Sequence, residues 1–171
     1  HQIVGIYSDE DTQIVFLDTP GVISPKYELQ KAMMKTVERA RSDADVILFI
    51  HDPMDKHPTD DVIELIRSIN KPIYLVVNKM DVANEEKARK SAEEIQEKLK
   101  IRSTHFVSAT AGTGVKELME DIRASLLPGP PFYPKEDLSE HPVRFFVSEL
   151  VREQIFLQFH QEIPYSCTVE V

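Results

Sequence analysis

Ile73-Tyr74-Leu75-Val76-Val77-Asn78-Lys79-Met80-Asp81 is the stretch on which the fold of this chain turns. Five β-prone apolar residues run without a polar break, as in a strand covered on both faces, and then give way to a polar tetrapeptide. Ligands in open α/β sheets bind at the carboxyl ends of strands, which is where Asn78, Lys79 and Asp81 fall. A carboxylate there can accept two parallel hydrogen bonds, from the N1–H and the 2-amino group of guanine. Adenine has no such pair, and a site built to pair a donor rejects the ligand that lacks it. The Asn78 amide can bridge the base and a neighbouring loop, and the Lys79 stem is long enough to cover one base face. Taken alone, the tetrapeptide is equally a polar strand-to-helix turn in which Asn and Asp act as caps.

The flanking sequence supplies the rest of an alternating pattern. Residues 45–51 hold a second uninterrupted run, Val46-Ile47-Leu48-Phe49-Ile50, again expected to be covered on both faces. Thr59 reads as a helix N-cap, with Asp60 and Asp61 in the first turn and Val62, Ile63, Ile66 and Ile69 as the buried stripe. Asn84 is placed to cap a charged helix over 85–100, whose Ala88, Ala92, Ile95 and Leu99 recur at helical spacing. Residues 104–108 form a short strand, and Val115, Leu118, Met119, Ile122 and Leu126 mark another amphipathic helix. Towards the amino end, 2–7 and 12–18 read as an antiparallel hairpin joined at Ser8-Asp9-Glu10-Asp11. The breaker Thr19-Pro20-Gly21 and a helix over 28–41 follow. Strand and helix then alternate, which predicts an α/β fold with a mostly parallel sheet and helices on both faces. Pro128-Gly129-Pro130-Pro131, extended to Pro134, is a stiff boundary. Beyond it 142–161 reads as a helix and 165–171 as a strand, too little to bury a core alone.

Composition narrows the function classes. The 171 residues are 42% hydrophobic and carry a formal net charge of −9, a poor match for an autonomous nucleic-acid binder. No run approaches a membrane span, and the amino end lacks the plan of a signal peptide. A single cysteine, Cys167, excludes an internal disulfide framework and fits a reducing cytosol.

Two further stretches carry chemistry. Asp18-Thr19-Pro20-Gly21 follows a strand; an acidic group there can hold Mg²⁺ through a water, and Gly21 lets its N–H approach a terminal phosphate. The bland alternative is an ordinary Asp-x-Pro-Gly turn. In Ser108-Ala109-Thr110, small residues allow backbone N–H groups to reach a guanine carbonyl; a plain helix-entry loop is the alternative. Residues 51–57, His51-Asp52-Pro53-Met54-Asp55-Lys56-His57, hold metal-ligand types, but no regular spacing converges them. Met33 and Met34 read as packing residues, Cys167 as a buried thiol and 85–100 as a solvated face. Lys135, Arg144 and Arg152 read as surface charge, with phosphate contact as the alternative.

In order, spacing and strand-end context, the three motifs are similar to those of translation-factor-type GTPases, and nearly the whole chain resembles the Era family of bacterial GTPases. The resemblance extends through Gly21-Val22-Ile23-Ser24-Pro25, the proline-rich 128–134, Arg144-Phe145-Phe146-Val147-Ser148-Glu149, Val151-Arg152-Glu153 and Glu162-Ile163-Pro164-Tyr165-Ser166-Cys167-Thr168-Val169-Glu170-Val171. It implies a P-loop GTPase-type domain over 1–127, a linker over 128–142 and, over 143–171, the first helix and strand of an α+β KH-type RNA-binding domain. It further implies GTP or GDP with Mg²⁺ as cofactors, and guanine contacts from Asn78, Lys79, Asp81, Ser108, Ala109 and Thr110. Asp18, Thr19, Pro20, Gly21 and Val22 would form the phosphate-sensing switch, Asp18 holding Mg²⁺ through a water. The implied partners are 16S rRNA and the small ribosomal subunit, in a cytoplasmic protein without a transmembrane segment, peripheral association with the inner membrane remaining open. Val22 stands where other GTPases carry a water-orienting glutamine, so slow intrinsic hydrolysis is expected and no catalytic base is named.

The chain departs from the family in holding neither Gly-x-x-x-x-Gly-Lys-Ser/Thr nor the Gly-x-x-Gly of KH modules. It is therefore expected to be an inactive excerpt of a parent with roughly forty or more residues before His1. Two rivals remain: a non-catalytic RNA-binding scaffold with a degenerate nucleotide domain, and another translation-factor-type GTPase acting on tRNA or ribosomes.

Overall fold

The computed structural model describes residues 4–21, 28–55, 57–158 and 169, excepting the side chains of 28–33. In chain order the elements are β1 (Val4–Ser8), β2 (Gln13–Leu17), α1 (Glu28–Asp43), β3 (Ile47–His51), α2 (Asp60–Arg67), β4 (Ile73–Val77), α3 (Glu85–Lys98), β5 (Ser103–Phe106), α4 (Val115–Ser125) and α5 (Val143–Gln158). They fall into two compact units, 19–129 and the combination of 1–18 with 130–171.

In the 19–129 unit, β4 is the middle strand of a parallel sheet in the order β3-β4-β5, and all five of its residues are buried. Alternation along the strand sends Ile73, Leu75 and Val77 to one face. There they join Ile63 and Ile66 of α2 and Ala88, Ala92 and Ile95 of α3, with Leu99, in one core cluster. On the opposite face the Tyr74 hydroxyl donates to the Asp121 carbonyl of α4 at 3.3 Å. Helices thus cover both faces of β4, as its apolar run predicts. Asn84 caps α3, its side chain accepting from the Lys87 N–H at 3.0 Å, whereas Thr59 takes the cap position of α2 without a side-chain bond. Lys71 donates to the carbonyls of Arg41, Ser42 and Ala44, satisfying groups at and beyond the end of α1.

The apolar run of β3 is not covered in the same way. Its side chains are only half-buried, and Ile50 is 62% exposed. The cause is position: among the described residues β3 pairs with β4 alone, so it lacks the second neighbour that β4 enjoys.

In the other unit β1 and β2 form the expected antiparallel hairpin, with Val4 opposite Leu17 and Ser8 opposite Gln13. The proline-rich segment adheres to it. Gln13 Oε1 accepts from the N–H groups of Phe132 and Tyr133 at 2.8 and 2.9 Å, and its Nε2 donates to the Tyr133 carbonyl at 2.9 Å. The Ile6 N–H donates to the Leu138 carbonyl, the Ser139 hydroxyl to the Val4 carbonyl and Lys135 to the Glu10 carbonyl. Helix α5 buries none of its residues and exposes Val143, Phe146, Val147, Leu150, Val151, Phe156 and Leu157. Apart from Val169, the strand expected over 165–171, with Cys167, lies outside the described residues, as do Val22 and the Met33 side chain.

Two glycines in the loop before α4 differ in what they tolerate. Both have positive φ, 74° at Gly112 and 72° at Gly114, but only at Gly114 would a Cβ meet backbone, 2.5 Å from the Phe106 carbonyl oxygen. Gly112→Ala should cost about 1 kcal/mol of stability from backbone strain alone. Gly114→Ala should cost about 3 kcal/mol or more, because carbonyl and Cβ must also part. Urea melts of the two variants check the order.

His51 is the one buried histidine among the described residues, 5% exposed with Nε2 2.7 Å from the Ser91 hydroxyl. Burial, then the neighbouring His57, lowers its pKa against the opposing pull of Asp52 and Asp55. The unfolded chain accepts a proton that the folded chain resists. This contribution to stability is therefore intact above about pH 6.5 and is lost as the pH falls below it. His51→Gln should make Tm fall less steeply between pH 7 and 5 than in the parent protein.

Candidate functional site

The carboxyl ends of β4 and β5 are laced together. Side by side in the sheet, Val77 pairs with Phe106, and the Val107 N–H donates to the Val77 carbonyl at 2.8 Å. The Met80 N–H returns to the Val107 carbonyl at 3.1 Å, so the two chains leave the sheet in step. Asn78 then reaches across: its Oδ1 accepts from the Ala109 N–H at 3.0 Å. Its own N–H donates to the His51 carbonyl on the other side, at 2.9 Å. Asn78 thereby fastens the ends of all three parallel strands.

Ser108 does the corresponding work for Asp81. Its hydroxyl, on a residue 1% exposed, donates to Asp81 Oδ1 at 2.7 Å and accepts from the Ala111 N–H at 3.1 Å. The Ser108 N–H donates to the Thr113 carbonyl at 2.9 Å, closing the loop 108–113 on itself. A carboxylate has about four lone-pair directions, so one bond to Ser108 orients Asp81 while leaving capacity for a further pair of donors. Asp81 itself is exposed, as a group that meets a ligand from solvent must be.

Lys79 occupies the left-handed region, with φ of 63°, alone among the described non-glycine residues. Its carbonyl accepts from the N–H groups of Val82 and Ala83 at 3.1 and 3.0 Å, which holds the turn. Its ammonium lies 2.7 Å from Asp52 Oδ2, a partner that sequence pattern did not supply because Asp52 is 27 positions away on another strand end. Thr110 is exposed in the same loop as Ala109, whose N–H is engaged by Asn78.

The structure thus brings Asn78, Lys79, Asp81, Ser108, Ala109 and Thr110 into one cluster of loops. Asp18 ends the hairpin and is exposed, as are Thr19 and Gly21. No atom lies within 4 Å of the place a Gly21 Cβ would take, so packing within the chain does not require glycine there. Among the described residues no three His, Cys, Asp or Glu side chains converge as a metal site.

A second polar cluster is not a site of the nucleophile–base kind. Ser103 donates to Asp121 Oδ2 at 2.6 Å and His105 Nε2 lies 2.9 Å from the same oxygen. Base catalysis needs the two imidazole nitrogens divided between nucleophile and carboxylate, whereas here one nitrogen faces both.

The profile of the elongation factor Tu GTP binding domain matches residues 4–128. The chloroplastic GTPase ERA1 of Zea mays is 42% identical, aligned over 100% of this chain and 42% of its own. GTPase Era of Carboxydothermus hydrogenoformans is 36% identical over 100% of this chain and 58% of its own. The chain therefore spans about half the length of the relatives it matches. The solved structure of Era in complex with MgGDPNP and nucleotides 1506–1542 of 16S ribosomal RNA superposes with a TM-score of 0.81 at 29% identity, covering 96% of this chain and 57% of that one. No described helix is long and apolar enough to cross a membrane, and peripheral membrane association gains no support from these relatives. With residues 4–128 matching that profile and its whole length aligned with parts of these proteins, the chain belongs to the Era family of GTPases.

Proposed function

We propose that this chain supplies the guanine-reading half of a GTP-hydrolysing switch, and that the protein couples this switch to rRNA binding in small-subunit (16S rRNA) maturation. The observation that carries the reading is the Asp81 carboxylate, exposed at the end of a fully buried strand and oriented by the Ser108 hydroxyl at 2.7 Å. Asp81 accepts the N1–H and 2-amino protons of guanine. Asn78, already bonded to Ala109, stiffens the pocket floor, and the Lys79 stem covers one face of the base. Ala109 and Thr110 stand where the guanine carbonyl would approach the loop.

The phosphate end is assigned to Asp18, Thr19, Pro20, Gly21 and Val22. Gly21 would admit a terminal phosphate to its N–H, and Asp18 would hold Mg²⁺ through a water. When bound, Mg²⁺ would supply charge neutralisation at the phosphates. Val22 cannot orient water by hydrogen bonding, so intrinsic turnover is slow and depends on positioning or a partner.

For the layout we take 1–127 as the GTPase domain, 128–142 as the linker and 143–171 as the start of a KH-type domain. The apolar side chains exposed along α5 suit a helix that further KH-type structure covers. The 16S rRNA bound to the related Era structure supports the rRNA partner, and the relatives' GTPase names support hydrolysis. A net charge of −9 leaves the basic RNA contacts to parts of the protein other than these residues.

Asp81→Asn in the full-length protein should weaken GDP at least a hundredfold and raise preference for xanthosine diphosphate, whose 2-oxo group accepts from the new amide. Equilibrium binding of both nucleotides checks this, and unchanged GDP affinity would refute the base-reading role.

A further inference from the structure

The ion pair between Lys79 and Asp52 is unused by the chemistry above, and its geometry is over-determined for a surface contact. We propose that Asp52 is a positioning residue for guanine recognition, holding the Lys79 ammonium so that the lysine stem is fixed as a platform for the base. The inference rests on Asp81 reading guanine, since only then does the neighbouring Lys79 face a base.

Sheet register places Asp52 for this task. His51 pairs with Val77, so the next residues, Asp52 and Asn78, leave the sheet side by side, and the Asn78 N–H bonds the His51 carbonyl at 2.9 Å. The two oxygens of Asp52 are divided. Oδ1 accepts from the Met54 N–H at 2.9 Å, an Asx-type turn, and this leaves Oδ2 directed at Lys79 Nζ, 2.7 Å away. The Asp55 N–H donates to the Asp52 carbonyl at 3.1 Å and closes the same turn. Lys79 in turn adopts a left-handed backbone, φ 63°, a conformation that a lysine takes only when its surroundings impose it.

Stability does not account for the pair. The side chains are 56% and 23% exposed, a setting in which an ion pair adds little to folding. Ordering is the better account. A free lysine stem has many rotamers, and a ligand that must freeze them binds more weakly. With the ammonium tethered, that ordering precedes the ligand. The Lys79 bond, with the Met54 N–H second, holds the Asp52 carboxyl below the usual carboxylate range, so the tether is charged throughout the neutral range.

The test uses the full-length protein and GDP. Asp52→Asn keeps the acceptor for the Met54 N–H and removes the charge, and Asp52→Ser does the same with a smaller group. Both should raise the Kd for GDP three- to tenfold while leaving the preference for GDP over xanthosine diphosphate as in the parent. Lys79→Met retains an apolar stem without the ammonium, and in that background Asp52→Asn should change Kd less than twofold. A Kd within twofold of the parent for both Asp52 variants overturns the proposal, as does an equal loss in the Lys79→Met background. Asp81→Asn serves as the reference: if it alters nucleotide preference while the Asp52 variants bind normally, only the role of Asp52 falls. If Asp81→Asn leaves preference unchanged, the base reading falls and the platform with it.

Discussion

The hydrogen bond from the Ser108 hydroxyl to Asp81 Oδ1 is the constraint on which the proposed site depends. Ser108 is almost wholly buried, and a buried hydroxyl left unpaired costs about 1–3 kcal/mol, so the loop after β5 is held where the hydroxyl meets its partners. Asp81 is thereby oriented without being sequestered. Preorganised acceptors of this kind spare the ligand the work of arranging them. Asn78 performs the same service one residue from the strand, spanning from the His51 carbonyl to the Ala109 N–H. The edge of the proposed pocket is thus a continuation of sheet bonding by side chains.

Much of this was legible in the sequence, because it follows from local pattern. The run Ile73 to Val77 reads as a buried strand, Asn84 as a cap, and Ala88, Ala92 and Ile95 as the inner face of α3, and each takes that role, while Leu99 joins the same core from just beyond the helix end. The polar tetrapeptide follows that strand directly, and its Asn78 and Asp81 side chains both meet the loop after β5. Where pattern failed, the cause was tertiary. The run in β3 has the composition of a doubly covered strand, yet its burial depends on which strands flank it, and Ile50 stands exposed. The partnership of Asp52 with Lys79 follows from the register of β3 against β4, which no local signal specifies. Residues 51–57 hold metal-ligand types without converging spacing, and in the structure His51 bonds Ser91 while Asp52 pairs with Lys79.

The hairpin unit has a comparable economy. Gln13, the first residue of β2, grips residues 132 and 133 with both ends of its amide, and the last residue of the same strand, Leu17, is followed by Asp18. A five-residue strand therefore has the proline-rich segment at one end and the proposed phosphate-sensing turn at the other. Glutamine suits the role because one side chain both donates to and accepts from the same stretch of backbone, fixing register as well as proximity.

The central claim is that a carboxylate at position 81 reads a purine through two donors. Comparing GDP, inosine diphosphate and ADP binding to the full-length protein tests it most directly, since inosine lacks only the 2-amino group. The account predicts that inosine diphosphate binds roughly ten- to a hundredfold more weakly than GDP, with ADP weaker still. Equal affinity for GDP and ADP would contradict it.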